Sequence, residues 1–320
     1  MLDTFPWVDL VGAPTPLERM SRIGEVLGHP AIWVKRDDCM PLAFGGNKVR
    51  SLEFWIGEAK AQGSDMLVVA GALPSNQCRL TAAAGAKLGI EVLVLYAGDS
   101  EAPLRGNAML TELLGADIRR LGPVSEEERG ALAQQAMAEL RAAGRRPYLI
   151  GDPFVGALGY VRAAEELTAQ DLQQGAGLRH IVLPGSMGVT EAGLILGAAL
   201  LDRDWRFHLV SVEYDAAELT ARLTENILGA AALMDQAVPT DLMDRVEIHT
   251  GELGGGYGVV TEASLAAART MAANEALMIE QVYVAKTFAG LLNLVRSGAI
   301  PKDEAACILH TGGTPSLFEQ

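Results

Sequence analysis

Cysteine is scarce in this sequence: Cys39, Cys78 and Cys307 are the whole set, widely spaced and odd in number. Such a set excludes a disulfide framework and a thiolate zinc site, so no metal centre is expected. Positive charge is also short, with 26 Lys and Arg against 40 Asp and Glu and a formal net charge of −14. Without a basic stripe to neutralise successive phosphates, neither nucleic acid nor an anionic membrane is expected as a partner. No uncharged apolar run reaches the length of a membrane span, and Met1-Leu2-Asp3-Thr4 lacks the cationic start of a secretory signal. Both features point to a cytoplasmic protein. The Gly-Lys-Ser/Thr phosphate loop and the dinucleotide-binding glycine fingerprint are missing, which removes two common phosphate-binding plans. No repeat period is visible, so solenoids are excluded.

What is present is an ordinary globular composition, 49% hydrophobic and 21% charged, enough to build a sizeable core. The length allows two domains or one large α/β unit. Residues 17–27 read as a helix and 31–34 as a short strand. Strands expected at 66–70, 90–96, 117–121, 148–150, 180–183, 207–212, 246–249 and 306–310 then alternate with expected helices. Those helices fall at 49–62, 75–88, 102–114, 125–143, 156–174, 190–201, 216–232, 261–274 and 286–296. Ser125 with Glu128 forms a capping box at one of the helix starts. Alternation of this kind specifies parallel strands covered by helices. The loop around 151–159 is the best place for the chain to cross between two lobes.

The stretch KRDDCMPLAFGGNKVR, residues 35–50, holds Lys48 directly behind Gly45-Gly46-Asn47, where a turn-rich run gives way to a helical pattern. Desolvation at such a junction lowers a lysine pKa and makes the amine a nucleophile. The same residues also read as a surface lysine after a glycine turn. Three further loops stand at strand-to-helix turns, where open parallel sheets place ligands. Gly71-Ala72-Leu73-Pro74-Ser75-Asn76-Gln77 puts Ser75 at an N-cap, and the amide N–H groups there suit a carboxylate as well as they suit plain capping. Pro184-Gly185-Ser186-Met187-Gly188-Val189-Thr190 permits close backbone approach to an anion, or serves as a simple connection. In Leu309-His310-Thr311-Gly312-Gly313-Thr314-Pro315, His310 reads as a packed histidine without an evident carboxylate or cysteine partner; Thr311 is the residue of chemical interest. Tyr257 in GGGYG and Tyr283 in QVYVAK are phenols in small or apolar settings, suited to hydrogen bonding, proton transfer or core packing.

Thr15-Pro16-Leu17, KRDDCMPLAFGGNKVRSLEF, GALPSNQCR, the helix start at 190–194, GGGYG, QVYVAK with FAGL, and ILHTGGTPSLF follow one another across almost the whole chain. This ordered set resembles the pyridoxal-phosphate enzyme family that includes D-cysteine desulfhydrase, 1-aminocyclopropane-1-carboxylate deaminase and L-cysteate sulfo-lyase. The resemblance implies an α/β, two-domain, three-layer αβα fold with open, mostly parallel twisted sheets: the tryptophan synthase β-like fold type II. It implies a large cofactor-binding domain of residues 1–51 and 158–320 and a small α/β domain of residues 52–157. Lys48 is implied to form the Schiff base with pyridoxal phosphate and later to take the substrate α-proton. By the same resemblance Asn76 faces the cofactor 3-hydroxyl, and Ser75, Asn76 and Gln77 hold the substrate carboxylate. Gly185, Ser186, Met187, Gly188, Val189 and Thr190 cradle the phosphate, Asn47 joins the cofactor site, and Thr311 faces the pyridine nitrogen. Tyr257 and Tyr283 flank a small amino-acid substrate, and a homodimer is expected.

A threonine hydroxyl at the ring nitrogen makes a shallower electron sink than a carboxylate. β-Elimination tolerates that, because the leaving group departs quickly. Val284 stands where the deaminase branch of the family has a glutamate, so the expected reaction is β-elimination of a D-cysteine- or cysteate-like amino acid to pyruvate, ammonia and the released substituent. Ring-opening deamination, serine-type dehydration and racemisation are the alternatives on the same cofactor; a non-catalytic cofactor- or amino-acid-binding protein is the alternative of another class. Ser51 replaces a lysine usual in the family, which removes an expected phosphate counter-charge. Met187 and Val189 replace small residues and Ala285 replaces a glycine.

Overall fold

The computed structural model describes residues 2–318. In chain order the elements are β1 (Leu17–Arg19), α1 (Ser21–Leu27), β2 (Ile32–Arg36), α2 (Lys48–Ala61), β3 (Met66–Ala72), α3 (Asn76–Leu88), β4 (Glu91–Ala97), α4 (Gly106–Leu113), β5 (Asp117–Gly122) and α5 (Glu126–Ala142). They continue as β6 (Pro147–Leu149), α6 (Pro153–Gln174), β7 (Leu178–Gly185), α7 (Val189–Leu200), β8 (Arg206–Ser211), α8 (Ala216–Leu233), β9 (Val246–His249), α9 (Glu262–Glu275), α10 (Val284–Ser297) and β10 (Ala305–His310).

The strands make two sheets. One has the order β1-β2-β10-β7-β8-β9 and the other β5-β4-β3-β6. Every pairing is parallel except that of β1 with β2. Side-chain alternation sends Ile181, Leu183, Phe207 and Leu209 to one face of the larger sheet, against Tyr160 of α6, Ile195 of α7 and Leu223 of α8. Val182, Val210 and Ile308 go to the other face, against Met271 of α9 and Phe288 and Leu291 of α10. In the smaller sheet, Leu67, Val69 and Val94 pack on α2 and α3, while Val68 and Leu95 pack on Ala136 and Met137 of α5. The result is the expected three-layer αβα plan. Among the described residues no helix is long and apolar enough to cross a membrane.

Helices α2, α6 and α7 pack with backbones nearly touching, and two glycines make this possible. A Cβ at Gly159 would sit 2.3 Å from the Arg50 carbonyl oxygen, and one at Gly193 would sit 2.1 Å from that of Ala157. Helix α6 begins three residues earlier than expected. Asp152 caps it by accepting from the Phe154 and Val155 amides, and Pro153 fits the first turn, where no N–H is needed. The expected helix at 17–27 divides: residues 17–19 pair antiparallel with β2, from Leu17↔Lys35 to Arg19↔Trp33, and only Ser21–Leu27 is helical. An open sheet edge satisfies the backbone of those three residues and overrides the local pattern.

Candidate active site

The C-terminal ends of β3 and β7 open onto one cavity of about 680 Å³, lined also by the starts of α2, α3, α7 and α10. Lys48 is the first residue of α2 and reaches this cavity. The loop that delivers it is sterically demanding. Ala43, Phe44, Gly45 and Gly46 all have positive φ, at 41°, 70°, 59° and 117°. A Cβ at Gly45 would lie 2.6 Å from the Met40 carbonyl oxygen, and one at Gly46 would lie 2.9 Å from that of Thr311. Gly46 donates its amide to the Asp37 carbonyl and Asn47 to the Thr311 carbonyl, so the lysine is held from both sides of the chain. Among the described residues the Lys48 amine has no hydrogen-bond or ion-pair partner. Burial lowers its pKa, and the nearby Glu191 and Glu213 carboxylates offset only part of that.

A buried ionic cluster supports this loop from below. The Arg50 guanidinium donates to both Asp37 oxygens, at 2.8 and 3.1 Å, and to Glu166 at 2.9 and 3.0 Å. Lys35 pairs with Glu166 and donates to the Thr15 carbonyl at 2.6 Å, and Tyr160 donates to Asp37 at 2.5 Å. Burial alone raises the Asp37 and Glu166 carboxyls, but the Arg50 and Lys35 cations outweigh it and hold both below the ordinary range.

Two helix N-termini face the cavity. At α3, Ser75 caps by accepting from the Cys78 amide at 3.3 Å. The Asn76 Oδ1 accepts from Arg79 at 2.8 Å and from Asn107 at 3.1 Å, which fixes its amide and leaves Nδ2 as the group to offer. Gln77 lines the cavity beside them. At α7, Thr190 accepts from the Asn47 side chain at 2.9 Å, joining the lysine loop to the glycine loop. Ser186 donates its amide to Glu191 at 2.8 Å and its hydroxyl to Glu213 at 2.7 Å. Ser186, Met187, Val189 and Thr190 line the cavity. Gly185 and Gly188 instead meet α8, where a Cβ would lie 2.5 Å from a Leu219 methyl and 2.9 Å from the Asn226 amide.

On the opposite wall the Tyr257 and Tyr283 hydroxyls are 2.6 Å apart, with edge-to-face rings. Burial raises both phenols, so each is protonated at neutral pH. The buried Glu280 carboxylate accepts from the amides of Val282, Tyr283 and Val284 and so fixes the backbone beneath Tyr283. Burial pushes its pKa up to about 7. Thr311 lines the cavity, and among the described residues its hydroxyl has no partner. His310 donates to the Met278 carbonyl and accepts from the Gly312 amide. Asp38 lies 3.8 Å from Nδ1, beyond hydrogen-bond reach.

Sequence reasoning missed Glu191, Glu213, Glu280 and Arg129. The first three are carboxylates buried or drawn in by contacts remote in sequence. Arg129 of α5 lines the cavity, and its guanidinium has no ion-pair or hydrogen-bond partner among the described residues. Ser51 is 1% exposed, packed where α2 meets α6, and its hydroxyl has no partner, so the serine itself does not line the cavity.

The family described as "Pyridoxal-phosphate dependent enzyme" matches residues 8–312. The chain belongs to that family. The D-cysteine desulfhydrases of Salmonella paratyphi B and Salmonella newport are each 35% identical over 334 residues, covering 99% of this chain and 97% of the relative. An ACC deaminase homologue of known structure superposes with a TM-score of 0.91 at 32% identity, covering 99% of this chain and 95% of that one. A threonine deaminase from T.th. shares the fold, with a TM-score of 0.68 at 20% identity, covering 94% of this chain and 92% of that one. The protein is therefore a pyridoxal-phosphate-dependent lyase. Its cavity fits the cofactor: an unpartnered, desolvated lysine amine, a glycine loop at the start of α7, a fixed Asn76 amide and an unpaired Thr311 hydroxyl share one space. Glu191 and Glu213 leave the α7 end of the cavity poor in positive charge, so an anion bound there would rest on amide N–H groups and the α7 dipole.

Proposed function

We propose that this enzyme catalyses β-elimination of a small amino acid of the D-cysteine or cysteate type, yielding pyruvate, ammonia and the released β-substituent. The observation that carries this reading is the Lys48 amine, without a partner, between the N-termini of α3 and α7. Pyridoxal phosphate supplies a carbonyl that condenses with amines and a ring that takes up the electron pair left when Cα loses its proton. Lys48 would hold the cofactor and, in catalysis, would take the α-proton; its lowered pKa favours the neutral base. Amide N–H groups around Ser75, Asn76 and Gln77 orient the substrate carboxylate at the positive end of α3. Asn76 would also serve the cofactor 3-hydroxyl, Asn47 and the 185–190 loop would hold the phosphate, and Thr311 would serve the ring nitrogen. Tyr257 and Tyr283, both protonated, flank the substrate and donate a proton to the departing group.

The buried, apolar Val284 offers no carboxylate for ring opening, which favours elimination. The Salmonella D-cysteine desulfhydrases support the same substrate type. We read residues 52–157 as the smaller of two domains and the working unit as a cytoplasmic homodimer, which sedimentation equilibrium tests. The decisive experiment is absorbance of the cofactor-loaded protein. Wild type should show a violet-region band that borohydride bleaches with covalent labelling of Lys48, and should release pyruvate from D-cysteine or cysteate. Lys48→Ala should do neither. Turnover of the cyclopropane substrate alone would overturn the elimination reading.

A further inference from the structure

Away from the cavity, three histidines stand side by side on the sheet face that α9 and α10 cover. On the α10 side of β7 and β8, Val182 and Val210 pack into the core. Strand alternation places His180, His208, Glu247 and His249 on the same side. His180 and His208 are each 1% exposed, and the proposed reaction uses none of the four residues.

Their ring nitrogens form one chain. His180 Nε2 lies 2.7 Å from the Glu304 carboxylate, His180 Nδ1 lies 2.9 Å from His208 Nε2, and His208 Nδ1 lies 3.1 Å from His249 Nε2. A carboxylate can only accept, so His180 Nε2 carries a hydrogen. A neutral imidazole then accepts at its other nitrogen, so His208 must donate from Nε2. His208 Nδ1 is left with a lone pair directed toward His249 and Glu247.

We propose that His208, Glu247 and His249 bind one divalent transition-metal ion, with zinc the best match. Three donor atoms, His208 Nδ1, His249 Nε2 and Glu247 Oε2, are separated by 3.1, 3.5 and 3.8 Å. The nearest point equidistant from atoms so spaced lies in their plane about 2.0 Å from each, and a small step out of that plane toward a fourth ligand keeps the distances in the range of zinc–imidazole and zinc–carboxylate bonds. Two imidazoles and one carboxylate suit zinc better than calcium or magnesium, which prefer shells of oxygen. His180 and Glu304 hold the far side of His208, the arrangement that orients a ligating ring and raises its basicity. The His249 and Glu247 side chains are 27% and 54% exposed, so a fourth position is open to water. On binding, the hydrogen on His249 Nε2 is lost to solvent and Nδ1 takes one, so the ring stays neutral. The ion then ties β8 to the edge strand β9, from which residues 250–256 run to Tyr257.

The test uses cofactor-loaded protein carrying Cys39→Ser, which removes the exposed thiol, stripped with EDTA and titrated with zinc chloride in a calorimeter. One equivalent should bind. His249→Ala and Glu247→Gln should each weaken binding by at least about 10-fold, and Glu304→Gln by about 10- to 100-fold. Zinc should raise the melting temperature of the parent and leave that of His249→Ala unchanged, a readout independent of activity. Glu247 is exposed and His249 half-buried, and a melt without zinc verifies that both variants fold. No saturable uptake, or uptake unaffected by both His249→Ala and Glu247→Gln, overturns the proposal.

Discussion

Replacing Arg50 by methionine tests how the ionic cluster supports the lysine loop. Arg50 is 2% exposed and Asp37 is 0% exposed, and the guanidinium makes two hydrogen bonds to Asp37 and two to Glu166. Methionine fills much of the volume but leaves the Asp37 and Glu166 carboxylates with Lys35 as the one cation still paired in the cluster. Breaking a buried pair from one side costs about 3 to 5 kcal/mol. At about 2 °C or more per kcal/mol for a large domain, the melting temperature should fall by at least about 6 °C. The loss should depend on pH in a defined sense. Asp37 and Glu166 titrate below their unfolded values in the wild type, so their contribution is complete above about pH 4 to 4.5 and is lost as pH falls through the folded values. Arg50→Met lacks that contribution, so the gap between the two proteins should be widest near neutrality and narrow on acidification. Because the Asp37 carbonyl anchors the Gly46 amide, cofactor retention should fall as well. Thermal melts from neutral pH down to the acid limb, followed by circular dichroism, check this. A variant that melts within about 1 °C of wild type, or a gap that widens in acid, would refute the reasoning.

Two further outcomes are expected. Ser51→Ala removes a buried hydroxyl that has no partner, so it should raise stability by about 1 kcal/mol without changing cofactor affinity, as measured by thermal melts and cofactor titration. Arg129→Gln should lower kcat/KM by about 10- to 100-fold for a substrate with an anionic β-substituent such as cysteate, the value of one charge-assisted hydrogen bond, and leave D-cysteine turnover nearly unchanged. Equal effects on both substrates would show that Arg129 does not contact the substituent.

Much of the architecture is legible in the sequence. Strand and helix alternation required parallel sheets with helices on both sides, because a parallel crossover needs a helix to return the chain. Gly45 and Gly46 marked a turn with positive φ, and Ser75 and Ser125 marked helix starts, because each signal is a backbone requirement met within a few residues. The division at Arg19 was not legible, since the edge that receives β1 is built by residues 32–36. Lys48 could be located by sequence, but its chemistry could not. The two carboxylates beside its amine come from residues 191 and 213, and Arg50 finds Glu166 across 116 positions of chain. Tyr257 meets Tyr283, and His208 meets His249, only after strands and loops are brought into register. Local sequence determines where the backbone turns and which face is apolar. Which charges share a cavity depends on long-range packing, where neither periodicity nor spacing leaves a trace.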